Sequence, residues 1–227
     1  MQMIIIINKT KQKEGFSLKP IAYVGVNIQF SRLTDEDRRR GLTFLYLYDL
    51  PYIDLRAYAG LIITNFVEEQ FLLEHKNVLD QYLTQGGVIF SLTETSLPWL
   101  AGVPNWKRSP IPLKDREIII KEPIHPLFAG IDAYDINYRK GVRGFFSRGY
   151  FETIPLHAEV LVTDQSGATI IYVDRDSTNG TIFAGAGTDI YRVFINEENS
   201  SRYLSLQMLT CIREEYERNQ LKGVKLQ

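Results

Sequence analysis

Residues 60–92 read GLIITNFVEEQFLLEHKNVLDQYLTQGGVIFSL and describe a strand, a helix and a second strand. Residues 60–65 and 88–92 are short, almost continuous apolar runs, which is the pattern of strands that are covered on both faces. Between them, residues 68–84 carry apolar side chains at helical spacing and end before a Gly-Gly pair. Strand, helix and strand in this order predict a right-handed parallel crossover, the unit of a doubly wound sheet.

Further strand patterns lie on both sides of this unit. Residues 21–27 (IAYVGVN) and 43–48 (TFLYLY) are predicted to join the parallel sheet, and residues 116–121 (REIIIK) also have a strand pattern. A turn-forming segment between residues 159–163 and 168–173 predicts an antiparallel hairpin at one side of the sheet. The predicted fold class is therefore α/β, a three-layer, doubly wound, mostly parallel sheet with an antiparallel extension.

Length and composition predict one domain spanning residues 1–227. An apolar content of 44% in 227 residues is enough for a sizeable core. Residues 1–20 are predicted to form an N-terminal strand or arm, and residues 200–219 a helix with one apolar stripe. Residues 220–227 are predicted to be a loose tail.

Charge and cysteine content bear on partners and location. The 26 basic and 27 acidic residues nearly cancel, so neither nucleic acid nor an anionic membrane is a predicted partner. No stretch approaches the roughly 20 apolar residues of a membrane-spanning helix, and the apolar run at residues 4–7 is too short for a signal peptide. The single cysteine, Cys211, fits a reducing compartment, and we predict a cytoplasmic protein.

Several stretches resemble the class I glutamine amidotransferase-like superfamily, and within it the trehalose-utilisation (ThuA-like) branch. They are DLRAYAGLIITN (54–65), GGVIFSL (86–92), HPLFAGI (125–131), GVRGFF (141–146) and GTIFAGAGTD (180–189). The resemblance covers residues 21–217 through the order of elements rather than through one motif. It implies a flavodoxin-like fold.

The chain departs from this superfamily at the positions that carry its glutaminase chemistry. Those enzymes hold a nucleophilic Cys in a Gly-x-Cys-x-Gly turn after the strand that resembles residues 88–92. Here residues 92–96 read LTETS. The superfamily's later His-Pro-Glu, which supplies a base and its orienting carboxylate, corresponds to GTD at residues 187–189. The resemblance therefore implies a domain that is not a glutaminase.

Polar residues follow several predicted parallel strands and form the candidate ligand site. Ligands of open parallel sheets collect at the carboxyl edge of the strands, where loops converge. Glu94 would sit just past a buried strand, where desolvation raises the pKa of a carboxylate. Its alternative role is to cap a turn or to face water. The predicted ligand-binding residues are Asn65, Thr93, Glu94, Gly187, Thr188 and Asp189.

The catalytic candidates are Glu94, His125 and Asp189. His125 lies in a turn before Pro126, where it either closes one side of the site or hydrogen-bonds its own loop. No metal site is predicted, because the three histidines lack metal-ligand spacing. No cofactor is predicted either, since Gly185 and Gly187 alone make a poor dinucleotide fingerprint.

Three hypotheses of function remain open at this point. The first is a noncatalytic amidotransferase-like domain that binds a small polar metabolite or a protein partner. The second is a hydrolase-type enzyme that acts on a polar or sugar-like substrate through a non-cysteine site. The third is a structural protein, because the 25 Tyr and Phe residues could include a homo-oligomer surface.

Overall fold

The computed structural model of the protein describes residues 19–31 and 33–224. Its strands are β1 (Ile21–Gly25), β2 (Leu42–Tyr46), β3 (Gly60–Ile63), β4 (Val88–Ser91), β5 (Trp106–Arg108), β6 (Ile118–Ile120), β7 (Tyr138–Arg139), β8 (Val142–Arg143), β9 (Gly149–Phe151), β10 (Glu159–Asp164), β11 (Thr169–Asp174) and β12 (Thr181–Gly185). Its α-helices are α1 (Asn27–Phe30), α2 (Asp35–Arg39), α3 (Glu69–Glu74), α4 (Lys76–Thr84), α5 (Ala133–Asn137), α6 (Ile190–Val193) and α7 (Leu204–Val224).

The main sheet has the strand order β2-β1-β3-β4-β12-β11-β10-β6. The first five strands are parallel, in the order typical of flavodoxin-like doubly wound sheets. Strands β11, β10 and β6 continue the sheet with antiparallel pairing. The predicted fold class is therefore confirmed, and so is the antiparallel hairpin, which is formed by β10 and β11.

Both faces of the parallel strands are covered. Every residue of β1, β3, β4 and β12 is buried, so side chains that alternate between the faces are all removed from water. A Cβ added to Gly60 would collide with Ile212 of α7, so this glycine allows α7 to approach β3 closely. The opposite face of β3, which carries Leu61 and Ile63, is buried under other elements.

Several boundaries differ from the sequence predictions. The helix predicted for residues 68–84 is divided into α3 and α4, because the backbone at His75 (φ −108°, ψ 20°) leaves helical values. Residues 220–224, predicted to be part of a loose tail, continue α7 instead. The predicted N-terminal arm falls outside the described residues up to residue 18, and so does the end of the tail at residues 225–227.

The N-terminus of helix α2 is defined by a capping box of Thr34 and Asp37. Thr34 caps it, with its hydroxyl oxygen accepting from the Asp37 backbone N–H at 3.3 Å, while Asp37 accepts from the Thr34 backbone N–H at 2.8 Å. Arg38 and Arg39 are exposed and pair with acids of the first turn. The arginine triplet at residues 38–40 therefore belongs to a solvated helix end.

Candidate functional site

A cavity of about 1470 Å³ opens at the carboxyl edge of the parallel strands. Asn65 and Phe66 reach it from the loop after β3, and Glu94 reaches it from the loop after β4. Thr188 and Asp189 line it from the loop after β12. Right-handed crossovers bring these distant segments to one edge, as the sequence pattern predicted.

The loop after β4 is held from inside by a chain of hydroxyl groups. Ser91 Oγ lies 3.0 Å from Thr93 Oγ1, which lies 2.6 Å from Thr95 Oγ1. All three residues are buried. Thr93 was predicted to bind ligand, but the structure places it in this buried chain, where it supports the turn that presents Glu94 to the cavity.

Glu94 lies between Gly187, in the loop after β12, and the guanidinium of Arg148. Gly187 has a φ of +81°, and a Cβ there would lie 2.5 Å from Glu94 Cγ, so only glycine fits this approach. On its other side, Glu94 Oε1 lies 3.8 Å from Arg148 Nε. The pair is partly exposed and its separation exceeds hydrogen-bond distance, so it adds little to stability.

Asp189 is the most buried carboxylate of the cavity wall, with 7% of its surface exposed. Its Oδ1 accepts from the Arg192 backbone N–H at 3.3 Å and so caps α6. Its Oδ2 accepts a hydrogen bond from the Tyr23 hydroxyl of β1. Burial raises the pKa of Asp189 to about 6, although the bonds from Tyr23 and Arg192 oppose the rise. The pKa of Tyr23 is raised as well, by burial and by Asp189.

A second buried network supports the α6 side of the cavity. Asp37 of α2 is fully buried, accepts from the Tyr191 hydroxyl at 2.8 Å and pairs with Arg192 at 3.1 Å. Burial alone would raise the pKa of Asp37, but hydrogen bonds from Thr34 and Tyr191 and the charge of Arg192 hold it below its usual value. The network joins α2 to the residues beside Asp189.

Phe66 has an unusual backbone for its position at the mouth of the cavity. Its φ of +62° falls in the left-handed region that bulky residues seldom adopt. The ring is exposed, and the guanidinium of Arg148 lies 5.4 Å from its centroid. Conformations of this kind concentrate at ligand sites, where the surrounding structure maintains them.

The structure does not bring His125 to this cavity. Its Nδ1 accepts from the Leu127 backbone N–H at 3.1 Å, and its Nε2 lies 3.4 Å from Arg175. Arg175 follows the last residue of β11, which pairs with the start of β12, so it lies at the opposite edge of the sheet. The role of closing one side of the site was therefore wrong, and the alternative, a bond within its own loop, is what the geometry shows. Burial lowers the pKa of His125.

Sequence reasoning missed much of the cavity wall. The contribution of Tyr23 was not predicted, because this residue lies within the apolar run of β1. Its hydroxyl group was the only feature of that run that could have indicated a polar role. The remaining wall comes largely from residues 106–148, a segment whose prolines and short elements give no clear periodicity. Its high content of arginine and lysine was the available signal there.

Metal-binding clusters and membrane-spanning helices are both absent from residues 19–31 and 33–224. No group of three or more His, Cys, Asp or Glu side chains in this part of the chain is arranged to hold a metal ion. Over the same residues, no helix combines the length and apolarity needed to cross a membrane.

A solved structure shows the same architecture. A crystal structure of a candidate GMP synthase subunit from Thermoplasma acidophilum matches with a TM-score of 0.59 at 12% identity, over 90% of this chain and 99% of that chain. The fold is glutamine amidotransferase-like. At this identity the likeness shows the fold alone. The mmIFT52 N-terminal domain gives a TM-score of 0.45 at 13% identity, over 84% of this chain and 97% of that one, a likeness too weak to argue from. No family model and no curated protein matches the sequence.

Proposed function

We propose that this protein is a noncatalytic, cytoplasmic glutamine amidotransferase-like domain of the ThuA-like branch, which binds a small polar molecule or a protein partner in the cavity. One observation supports this most strongly. Asn65, Glu94 and Asp189 converge on a single cavity. By the resemblance in sequence, Glu94 lies in the turn where a glutaminase carries its thiol, and Gly187 takes the place of its imidazole. Carboxylates accept hydrogen bonds from hydroxyls and amines, which suits recognition rather than acyl transfer.

Glutamine hydrolysis by this superfamily's route needs an activated thiolate in the turn after β4. Residues 92–96 (LTETS) offer none. Cys211 lies on α7 with 3% of its surface exposed, and burial raises the pKa of its thiol to about 12. At neutral pH this thiol is protonated and packed in the core, so it does not supply the missing nucleophile.

We therefore expect no release of ammonia from glutamine above a blank without protein, measured by a coupled ammonia assay. The Cys211→Ala variant serves as the control and should give the same baseline. Ammonia above the blank that disappears in Cys211→Ala would show that the chain is a glutaminase after all.

Binding at the carboxyl edge is tested by a thermal-shift screen of metabolites, since a ligand at a hundred times its Kd stabilises the folded state by about 2.7 kcal/mol. For a neutral ligand that bears hydroxyls or amines, we expect a smaller shift in the Glu94→Gln and Asp189→Asn variants. The matched control is Glu74→Gln, an exposed acid on α3. If the thermal shifts are unchanged in both site variants, the functional surface lies outside the cavity. That result would favour a homo-oligomer interface, which a measurement of the molecular mass in solution would detect.

A hydrolase-type enzyme is the second candidate, and the pKa of Asp189 favours it. A carboxyl group with a pKa of about 6 exchanges protons near neutral pH, as a general acid or base requires. Turnover of polar or sugar-like substrates that falls in both Glu94→Gln and Asp189→Asn would support this alternative. Both oxygens of Asp189 already accept hydrogen bonds from the protein, which fits a structural role better.

A further inference from the structure

Cations outnumber carboxylates in the cavity. Seven arginine or lysine side chains line it, against the carboxylates of Glu94 and Asp189. Three of these cations pair with acids: Arg148 with Glu94 at 3.8 Å, Arg139 with Glu197 at 3.2 Å and Arg192 with Asp37 at 3.1 Å. The other four have no carboxylate partner among the described residues: Arg108, Lys114, Arg116 and Arg143.

Arg116 gives the strongest indication that the cavity attracts an anion. It is 5% exposed, and its two terminal nitrogens donate to the backbone oxygens of Ser147 (2.5 Å) and Ile111 (2.8 Å). Its Nε is buried and finds no hydrogen-bond partner in the described part of the chain. A buried guanidinium that lacks a carboxylate is costly unless an anion neutralises it. Burial lowers the pKa of Arg116; the charge of Asp164 raises it without forming a pair, and the charge of Arg108 lowers it further.

The mouth of the same cavity is apolar. Five large side chains that line it are between 41% and 66% exposed: Ile28, Phe66, Leu113, Val142 and Phe145. Clustered exposed apolar side chains beside polar groups are typical of ligand-binding surfaces. A small inorganic ion would leave them in water, whereas a ligand with a planar or apolar portion would cover them.

We propose that the cavity binds an organic phosphate that carries an aromatic or apolar portion. The assignment rests on the proposed function of this cavity as the binding site. Guanidinium groups hold phosphate oxygens through paired, charge-assisted hydrogen bonds, which the exposed Arg108 is free to supply, while Arg116 contributes its buried positive charge to the cavity wall. Lys114 adds a further positive charge. The apolar mouth covers the non-polar portion, and Glu94 accepts from its hydroxyls or amines.

Calorimetric titration of four compounds tests this ligand class. We use AMP, glucose 6-phosphate, inorganic phosphate and adenosine, which separate the phosphate from the aromatic portion. AMP is expected to bind at least about tenfold more tightly than each of the other three, since each 1.4 kcal/mol corresponds to a factor of ten. The affinity for AMP should also fall as salt is raised.

The Arg108→Gln/Lys114→Gln variant removes two cavity cations that are exposed and make no side-chain hydrogen bond within the described residues. It should fold normally and bind AMP roughly tenfold or more weakly. Arg38→Gln/Arg39→Gln changes the net charge equally on α2, where both side chains are exposed. This control should bind AMP within about twofold of the wild type, because its charges lie outside the cavity.

Three results would overturn the inference. They are no binding of AMP, equal binding of AMP and glucose 6-phosphate, and equal weakening of AMP binding in the two charge variants. If AMP does not bind, while a neutral metabolite still gives a thermal shift that Glu94→Gln reduces, the proposed ligand class is wrong and the proposed function stands. If neither AMP nor any metabolite gives a thermal shift that the cavity variants reduce, both the proposed function and the proposed ligand class are wrong.

Discussion

Replacing Asp37 with alanine is expected to lower the free energy of unfolding by about 3–5 kcal/mol, the usual cost of removing one partner from a buried ion pair. Asp37 is fully buried and is the acid that pairs with Arg192, whose side chain is 12% exposed. Its carboxylate also accepts from Thr34 and from the Tyr191 hydroxyl. Without it, a buried guanidinium and a buried hydroxyl lose their partner. Urea denaturation measures the loss.

Asp35→Ala provides a matched control on the same helix. Asp35 is 84% exposed in its side chain and pairs with Arg38 at 3.4 Å in solvent. An exposed pair of this kind contributes at most about 1 kcal/mol, so the control should stay close to the wild type. Equal losses in Asp37→Ala and Asp35→Ala would show that the buried network does not hold α2 against α6.

The stability of the wild type relative to Asp189→Asn is expected to fall as the pH rises from about 4 to 6. The pKa of Asp189 is about 6 in the folded protein, against an ordinary value of 3.8. Between these values the folded state binds more protons than the unfolded state, so the free energy of unfolding decreases with rising pH. At about 1.4 kcal/mol per pKa unit, the whole change is about 3 kcal/mol. Urea denaturation of both proteins at several pH values isolates it.

Tyr23→Phe tests the cause of this pH dependence. The hydroxyl of Tyr23 donates to Asp189 and so stabilises the ionised carboxylate. Its removal should shift the upper end of the pH transition above 6, because burial then acts with less opposition. A transition that stays in place in Tyr23→Phe, or that is absent in the wild type, would contradict the assignment of the raised pKa to Asp189.

The parallel sheet was largely predictable, because its strands are short, nearly continuous apolar runs, a pattern typical of strands that are buried on both faces. β1, β3 and β4 lie within the runs at residues 21–27, 60–65 and 88–92. The break at His75 was not predictable, because the apolar side chains keep their helical spacing on both sides of it. The C-terminal extension of α7 was missed because residues 220–224 (QLKGV) include Gly223, a poor helix former, and are too few to show helical periodicity.

The site was predictable only where it follows the parallel strands. Asn65, Glu94 and Asp189 were expected at one edge because the topology alone sends them there, and they line the cavity. Their part in binding stays a prediction. His125 was misplaced because a turn before a short helix carries no information on which edge of the sheet it occupies. Arg116 was missed because its burial depends on packing among loops distant in sequence, which no local pattern encodes.

Hydrogen exchange of the backbone amides, with and without a ligand from the metabolite screen, tests the location of binding most directly. We expect slower exchange in residues 65–68, 93–96 and 187–192, the three segments that follow parallel strands and contribute side chains to the cavity wall. Exchange in residues 125–127, at the opposite edge, should be unchanged. Protection confined to residues 125–127, or absent from all three cavity segments, would contradict binding at the carboxyl edge.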